Sequence, residues 1–169
     1  MEADRPPPGI STISRMRRSL GLVLVLALAL AGCGESAKKQ RQDFLAEATA
    51  ICSHFSDLQN QVQFPSGNPL AAATSHTTRA KWGLAMNQIV LYGRQEVRGL
   101  RKLKPPKDLR ERVQELLDTQ EQAFDDLADA ADAAKKNHIA GIKRPVTAAR
   151  AKLANASKLA NASGLPRCA

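Results

Sequence analysis

The stretch FLAEATAICSHFSDLQNQV, residues 44–62, decides the fold. Its apolar residues Phe44, Ala48, Ile51, Phe55, Leu58 and Val62 recur at spacings of 4-3-4-3-4. A helix turns once in about 3.6 residues, so this alternation draws one narrow apolar seam down one face, as in helices packed lengthwise against each other. The spacing predicts a helix from about Lys38 to Gln63. It should stop at Phe64, because a residue before proline is disfavoured in the α conformation.

Three more helices read outward from this one. After a Ser-Gly-Asn-Pro loop, Trp82, Met86, Ile89, Val90, Val97 and Leu100 give the apolar face of a helix from about Thr77 to Lys102. Gly83, Gly93 and Gly99 lie inside it, each costing about 1 kcal/mol relative to Ala. Pro105-Pro106 breaks the chain. Pro106 is expected at the first position of a third helix, with Asp108 in the favourable first turn. Leu109, Val113, Leu116, Gln120, Ala123, Leu127, Ala130 and Ala134 carry this seam toward Lys136. Gln120 is its one polar member, either a register-setting residue or a partly exposed one. A connection, Asn137 to Arg144, is punctuated by Gly141. A fourth helix is expected from Pro145 to Ala162 with Val146, Ala149, Leu153, Ala156 and Ala160 inward, and Gly164-Leu165-Pro166 reads as its stop. The short link between the second and third helices makes them antiparallel neighbours. The expected fold is all-α, an up-down-up-down four-helix bundle over residues 38–169.

The N-terminal segment has a different character. An apolar run, Leu20 to Ala31, follows Arg15, Arg17 and Arg18 and closes in Leu30-Ala31-Gly32-Cys33. Basic flank, apolar run and small residues are the layout of a secretory signal. The run makes about 18 Å of helix against a hydrocarbon core of about 30 Å, too short for a membrane span. The closing residues resemble the lipobox of bacterial prolipoproteins. That resemblance implies cleavage between Gly32 and Cys33 and a lipid on Cys33. Residues 1–32 are then the signal, 33–37 a linker, and Met16 the expected start, since Pro6-Pro7-Pro8-Gly9 has no place in such a segment.

If Cys33 carries lipid, Cys52 and Cys168 remain as a pair, and an oxidising compartment would let them bridge the first helix to the tail. The alternatives are a buried free thiol at Cys52 and a frayed tail at Cys168. From Cys33 onward the chain keeps 21 basic and 14 acidic residues, net +7. The charges come in blocks: basic from Arg79 to Arg112, acidic from Glu115 to Asp132, basic from Lys135 to Arg167. Neighbouring helices of opposite sign account for this better than a nucleic-acid surface does. Lys38, Lys39 and Arg41 lie where each basic residue adds about 1 kcal/mol of attraction to anionic headgroups.

Chemistry-bearing motifs are scarce. The sequence holds no Cys-x-x-Cys-His, no Glu-x-x-His pair, no His-Glu-x-x-His and no Gly-x-Ser-x-Gly. Cys52 and His54 are alternate helix residues pointing about 200° apart, a poor pair for one metal. Asp125, Asp126, Asp129 and Asp132 share a helix face and read as solvated acids meeting basic neighbours. No metal or cofactor is expected.

Ile51-Cys52, Leu103-Lys104-Pro105-Pro106-Lys107-Asp108-Leu109 and Gly164-Leu165-Pro166-Arg167-Cys168 together resemble the small cysteine-paired helical lipoproteins of actinobacteria. The resemblance implies the helical fold and the Cys52–Cys168 disulfide and carries no activity with it. The expectation is a non-enzymatic, extracytoplasmic protein held to the membrane by its lipid and binding a protein or cell-envelope partner, with no nucleic acid. The other reading is a carrier or sensor of a small apolar ligand or cofactor in the bundle core.

Overall fold

The computed structural model describes the backbone of residues 13–169 and the side chains of residues 36–169. The expected signal segment 1–32, the expected start at Met16 and the Gly32–Cys33 site lie outside these described side chains. Four helices follow in order: α1 (Ile13–Asn60), α2 (His76–Arg101), α3 (Arg110–Lys135) and α4 (Ile139–Ala162), with a short 3₁₀ turn at Pro166–Cys168. The chain divides into residues 1–40 and residues 41–169, and the bundle is the second unit. Among the described residues no helix is long and apolar enough to cross a membrane.

Rising numbers on one helix meet falling numbers on the next. Ile51 of α1 packs on Gly99 of α2 and Arg41 pairs with Asp108. Arg94 and Arg101 of α2 reach Asp125 and Asp118 of α3. Lys152 and Arg112 tie α4 to α3, at Asp126 and at the Ala162 carbonyl. The bundle is therefore up-down-up-down, as the seams require. The α3 seam is buried at Leu109, Val113, Leu116, Gln120, Ala123, Ala130 and Ala134.

The interior has two parts. Phe44, Cys52, Val97, Leu100, Leu116, Leu117, Phe124 and Leu165 build the larger core. Met86, Ala130, Ala131, Ala134 and Ile142 build a tighter one beyond the end of α1, with Leu70 packed on it. Alanine and glycine set the helix separation. A Cβ at Gly93 would stand 2.1 Å from the Phe124 ring, and one at Gly83 would stand 2.6 Å from the Ala131 carbonyl. The glycine penalty in α2 is thus offset by close packing of α3.

Helix ends differ from expectation where tertiary burial outweighs local signals. α1 is continuous through Lys38 and ends at Asn60 rather than Gln63. α2 begins at His76, where the Ser75 hydroxyl accepts from the Thr78 N–H and satisfies one of the unpaired first-turn donors. Pro106 does not open α3. It starts a turn closed by Leu109 N–H to its carbonyl, and the helix begins at Arg110. Asp108 accordingly lies outside the helix and accepts from Arg41 at 2.6 Å. α3 ends at Lys135, with Asn137 in the left-handed conformation at φ 58°. α4 begins at Ile139, six residues before Pro145, which lies inside the helix. Burial of Ile142 against the alanine core stabilises that extra stretch, and Gly141 fits there because a Cβ would press on Ala133 at 3.0 Å.

Candidate functional site

Cys52 on α1 and Cys168 in the tail form a disulfide with Cα atoms 5.0 Å apart. Gly164 at φ 78° ends α4 and lets the chain reverse, Leu165 buries beneath the turn, and the 3₁₀ turn delivers Cys168 to the middle of α1. The Gln120 amide fixes this return. Its Nε2 donates to the Cys168 carbonyl at 3.1 Å. The polar member of the α3 seam is therefore a buried anchor for the tail, and its Oε1 has no donor.

Beside the bridge lies a cavity of about 140 Å³, lined by Ile89, Phe124 and Leu127 together with Glu96, Gln120 and the disulfide. Glu96 of α2 is 7 % exposed, and no hydrogen bond or ion pair reaches it among the described residues. A carboxylate oxygen of Glu96 and the two cysteine sulfurs lie within 4.8 Å of one another. Desolvation disfavours the charged carboxylate and pushes Glu96 up to about 7. Arg167 is the charged side chain at the rim of the same cavity and is exposed.

A pH dependence follows. The folded, oxidised protein holds the Glu96 proton up to about pH 7, whereas the unfolded chain releases it near the ordinary value of 4.5. The folded state binds more protons across that window, so stability is highest at its acid end and falls as pH rises through 7. The loss is on the order of 3 kcal/mol. Glu96→Gln should flatten the melting temperature between these limits and raise it above pH 7. An unchanged slope in that variant would place the dependence elsewhere.

The other sequence candidates are dispersed. His54 is exposed and stacks edge-on to Phe55, away from Cys52's bridge. His76 meets the Lys135 carbonyl at 3.3 Å. Five acids of α3 meet cations, as their block charge suggests, while Asp129 is in no ion pair among the described residues. Asp125 pairs with Arg94, Asp126 with Lys152, and Asp118 and Glu121 with Arg101. Lys135 donates to Asp132 and lowers its pKa. Most of these groups are solvent-exposed, worth about 0–1 kcal/mol each. They set pairing between helices more than stability.

Two functional-looking groups, Glu96 and Arg79, were not distinguished by the sequence reading. Arg79 is 2 % exposed and faces no carboxylate. Its guanidinium donates to the Pro69, Ala71 and Thr74 carbonyls at 2.9, 3.1 and 3.0 Å and to Asn137 Oδ1. This fork holds the 65–75 loop over the alanine core where α1 has ended.

Comparison with known protein families, curated proteins and solved structures gave no match to this chain. Its fold and bridge define it as an all-α four-helix protein whose first helix and tail are joined by a disulfide.

Proposed function

We propose that the chain is an exported lipoprotein, anchored through a lipid on Cys33, whose disulfide-stapled bundle is a non-enzymatic binding module for a protein or cell-envelope partner. The observation that carries this reading is the cysteine arithmetic. Cys52 and Cys168 satisfy each other. The remaining cysteine stands directly behind Leu30-Ala31-Gly32 at the end of a short apolar run. Two acyl chains hold such a protein stably, since each buried methylene contributes about 0.8 kcal/mol.

A binding role finds support on the outer face of α2. Leu84 and Leu91, one above the other at i and i+7, are 58 % and 51 % exposed. Leu84 lines a groove of about 350 Å³ with Phe64, Pro65 and Gln88. A small apolar ligand in the core has less to rest on. The cavity beside the bridge is small, and two of its lining oxygens lack donors, which suits a polar or cationic guest instead.

Cys33→Ala is expected to abolish lipid incorporation and leave unprocessed precursor, read by labelling with a tagged fatty acid and by mass. Processing and membrane retention equal to wild type would remove the lipoprotein reading. Native mass spectrometry of the purified protein then separates a bound partner or ligand from a bare monomer.

A further inference from the structure

Gln120 anchors the tail through its Nε2, but the disulfide itself requires neither its Oε1 nor the Glu96 carboxyl. Glu96 is a buried acid without a partner, and Gln120 Oε1 is a buried acceptor without a donor. An apolar residue of the same shape would cost less at Glu96. Both line the one cavity that the disulfide also lines. They stand on different helices, α2 and α3, and the sulfurs come from α1 and the tail. Four separate elements thus contribute lone-pair atoms to the lining of one cavity.

We propose that in the reduced protein Cys52, Cys168, Glu96 and Gln120 close around a single zinc-class divalent cation, so that metal and disulfide are alternative staples of the same joint. The three principal ligand atoms already lie within 4.8 Å of one another. Tetrahedral zinc, with bonds of about 2.3 Å to sulfur and about 2.1 Å to oxygen, sets neighbouring ligand atoms roughly 3.4–3.8 Å apart. The carboxylate has to move inward, and on reduction the sulfurs have to separate from bonding distance to that spacing beside the cavity. Thiolate ligands select zinc-class ions over calcium and magnesium. Gln120 Oε1, without a donor and lining the same cavity, is the candidate for the fourth position.

The chemistry balances. A dithiol supplies two electrons and two protons, breaks the sulfur–sulfur bond and leaves as its own cyclic disulfide. Both protein sulfurs become thiols. Binding the cation displaces their two protons, and the Glu96 proton where the carboxyl still holds it, to solvent. Two thiolates and the Glu96 carboxylate against a divalent ion leave one net negative charge, and Arg167 at the rim has the sign to balance it. Reoxidation by a disulfide-class oxidant takes the two electrons back and releases the ion. The proposal goes beyond the lipoprotein reading and does not depend on it.

The test uses the full chain carrying Cys33→Ala, which removes the third thiol from the count. The protein is reduced with a dithiol, freed of it by anaerobic gel filtration, and titrated with Co²⁺ and then Zn²⁺. One equivalent of Co²⁺ should bind with sulfur-to-metal charge-transfer absorption and be displaced by Zn²⁺, while the oxidised protein binds none. Glu96→Gln relieves a buried charge, so it folds, and in its reduced form it should bind Zn²⁺ about 10–100-fold more weakly. No uptake by the reduced protein, equal uptake by the oxidised protein, or unchanged affinity in Glu96→Gln would each overturn the proposal. Circular dichroism follows the fold throughout. If reduction alone melts the helices, Zn²⁺ must restore them, and failure to do so counts against the site.

Discussion

Cys52→Ser, Cys168→Ser and the reduced wild-type protein are expected to melt at similar temperatures, all roughly 10–15 °C below the oxidised protein. The bridge spans 116 residues and closes a loop holding α2, α3, α4 and the last turns of α1, from Cys52 to Asn60. For a loop of that length the chain-entropy model gives about 4.8 kcal/mol, an upper figure because unfolded chains are not random. Each of the three changes removes the same constraint from the unfolded chain, so their agreement matters more than the size of the drop. Scanning calorimetry in the presence and absence of reductant reads it. If reduction left the melting temperature unchanged, the bridge would contribute nothing to stability.

Arg79→Ala is expected to cost about 3 kcal/mol and to free the 65–75 loop before the bundle as a whole unfolds. Beyond Asn60 three helices must cover the alanine core, and the loop with Leu70 takes the place of the fourth. One guanidinium fork holds that loop through three carbonyls and ties it to Asn137 at the end of α3. Arg79→Lys should fall nearly as far, because an ammonium cannot reproduce the planar fork. Limited proteolysis in the loop and hydrogen exchange at Ala71 and Thr74 detect the change locally. Exchange there equal to wild type would mean the loop is held by its own turns.

The sequence made the seams legible and left the buried charges hidden. Phe44, Ala48, Leu109, Val113, Leu116 and Ala134 lie on heptad-like spacing and are all buried, because lengthwise helix packing leaves that periodic trace. Helix ends were harder. Pro106 and Pro145 carry strong local signals, but the Pro106 turn and the burial of Ile142 are tertiary outcomes. Glu96 and Arg79 look like ordinary members of a charged helix. Their register held a signal. Ile89, Gly93, Glu96 and Leu100 run 4-3-4, as do Arg79, Gly83, Met86 and Val90, so both charges stand on inward rows. Gly83 and Gly93 mark the close approach in the same way. The pairing of Cys52 with Cys168 followed from parity and topology together. The cavity beside them arises from four elements distant in sequence, and no local pattern announces it.

The proposed lipoprotein spends all three cysteines, one on lipid and two on the bridge. Counting thiols in the membrane-extracted, natively exported protein tests it most directly. The protein is denatured without reductant, treated with a maleimide and weighed intact, and a second sample is reduced first. No labelled thiol is expected before reduction and two afterwards, with the lipid mass retained on the fragment beginning at Cys33. One label before reduction, or three after it, would mean that Cys33 carries no lipid. Two labels before reduction would mean that Cys52 and Cys168 are not joined.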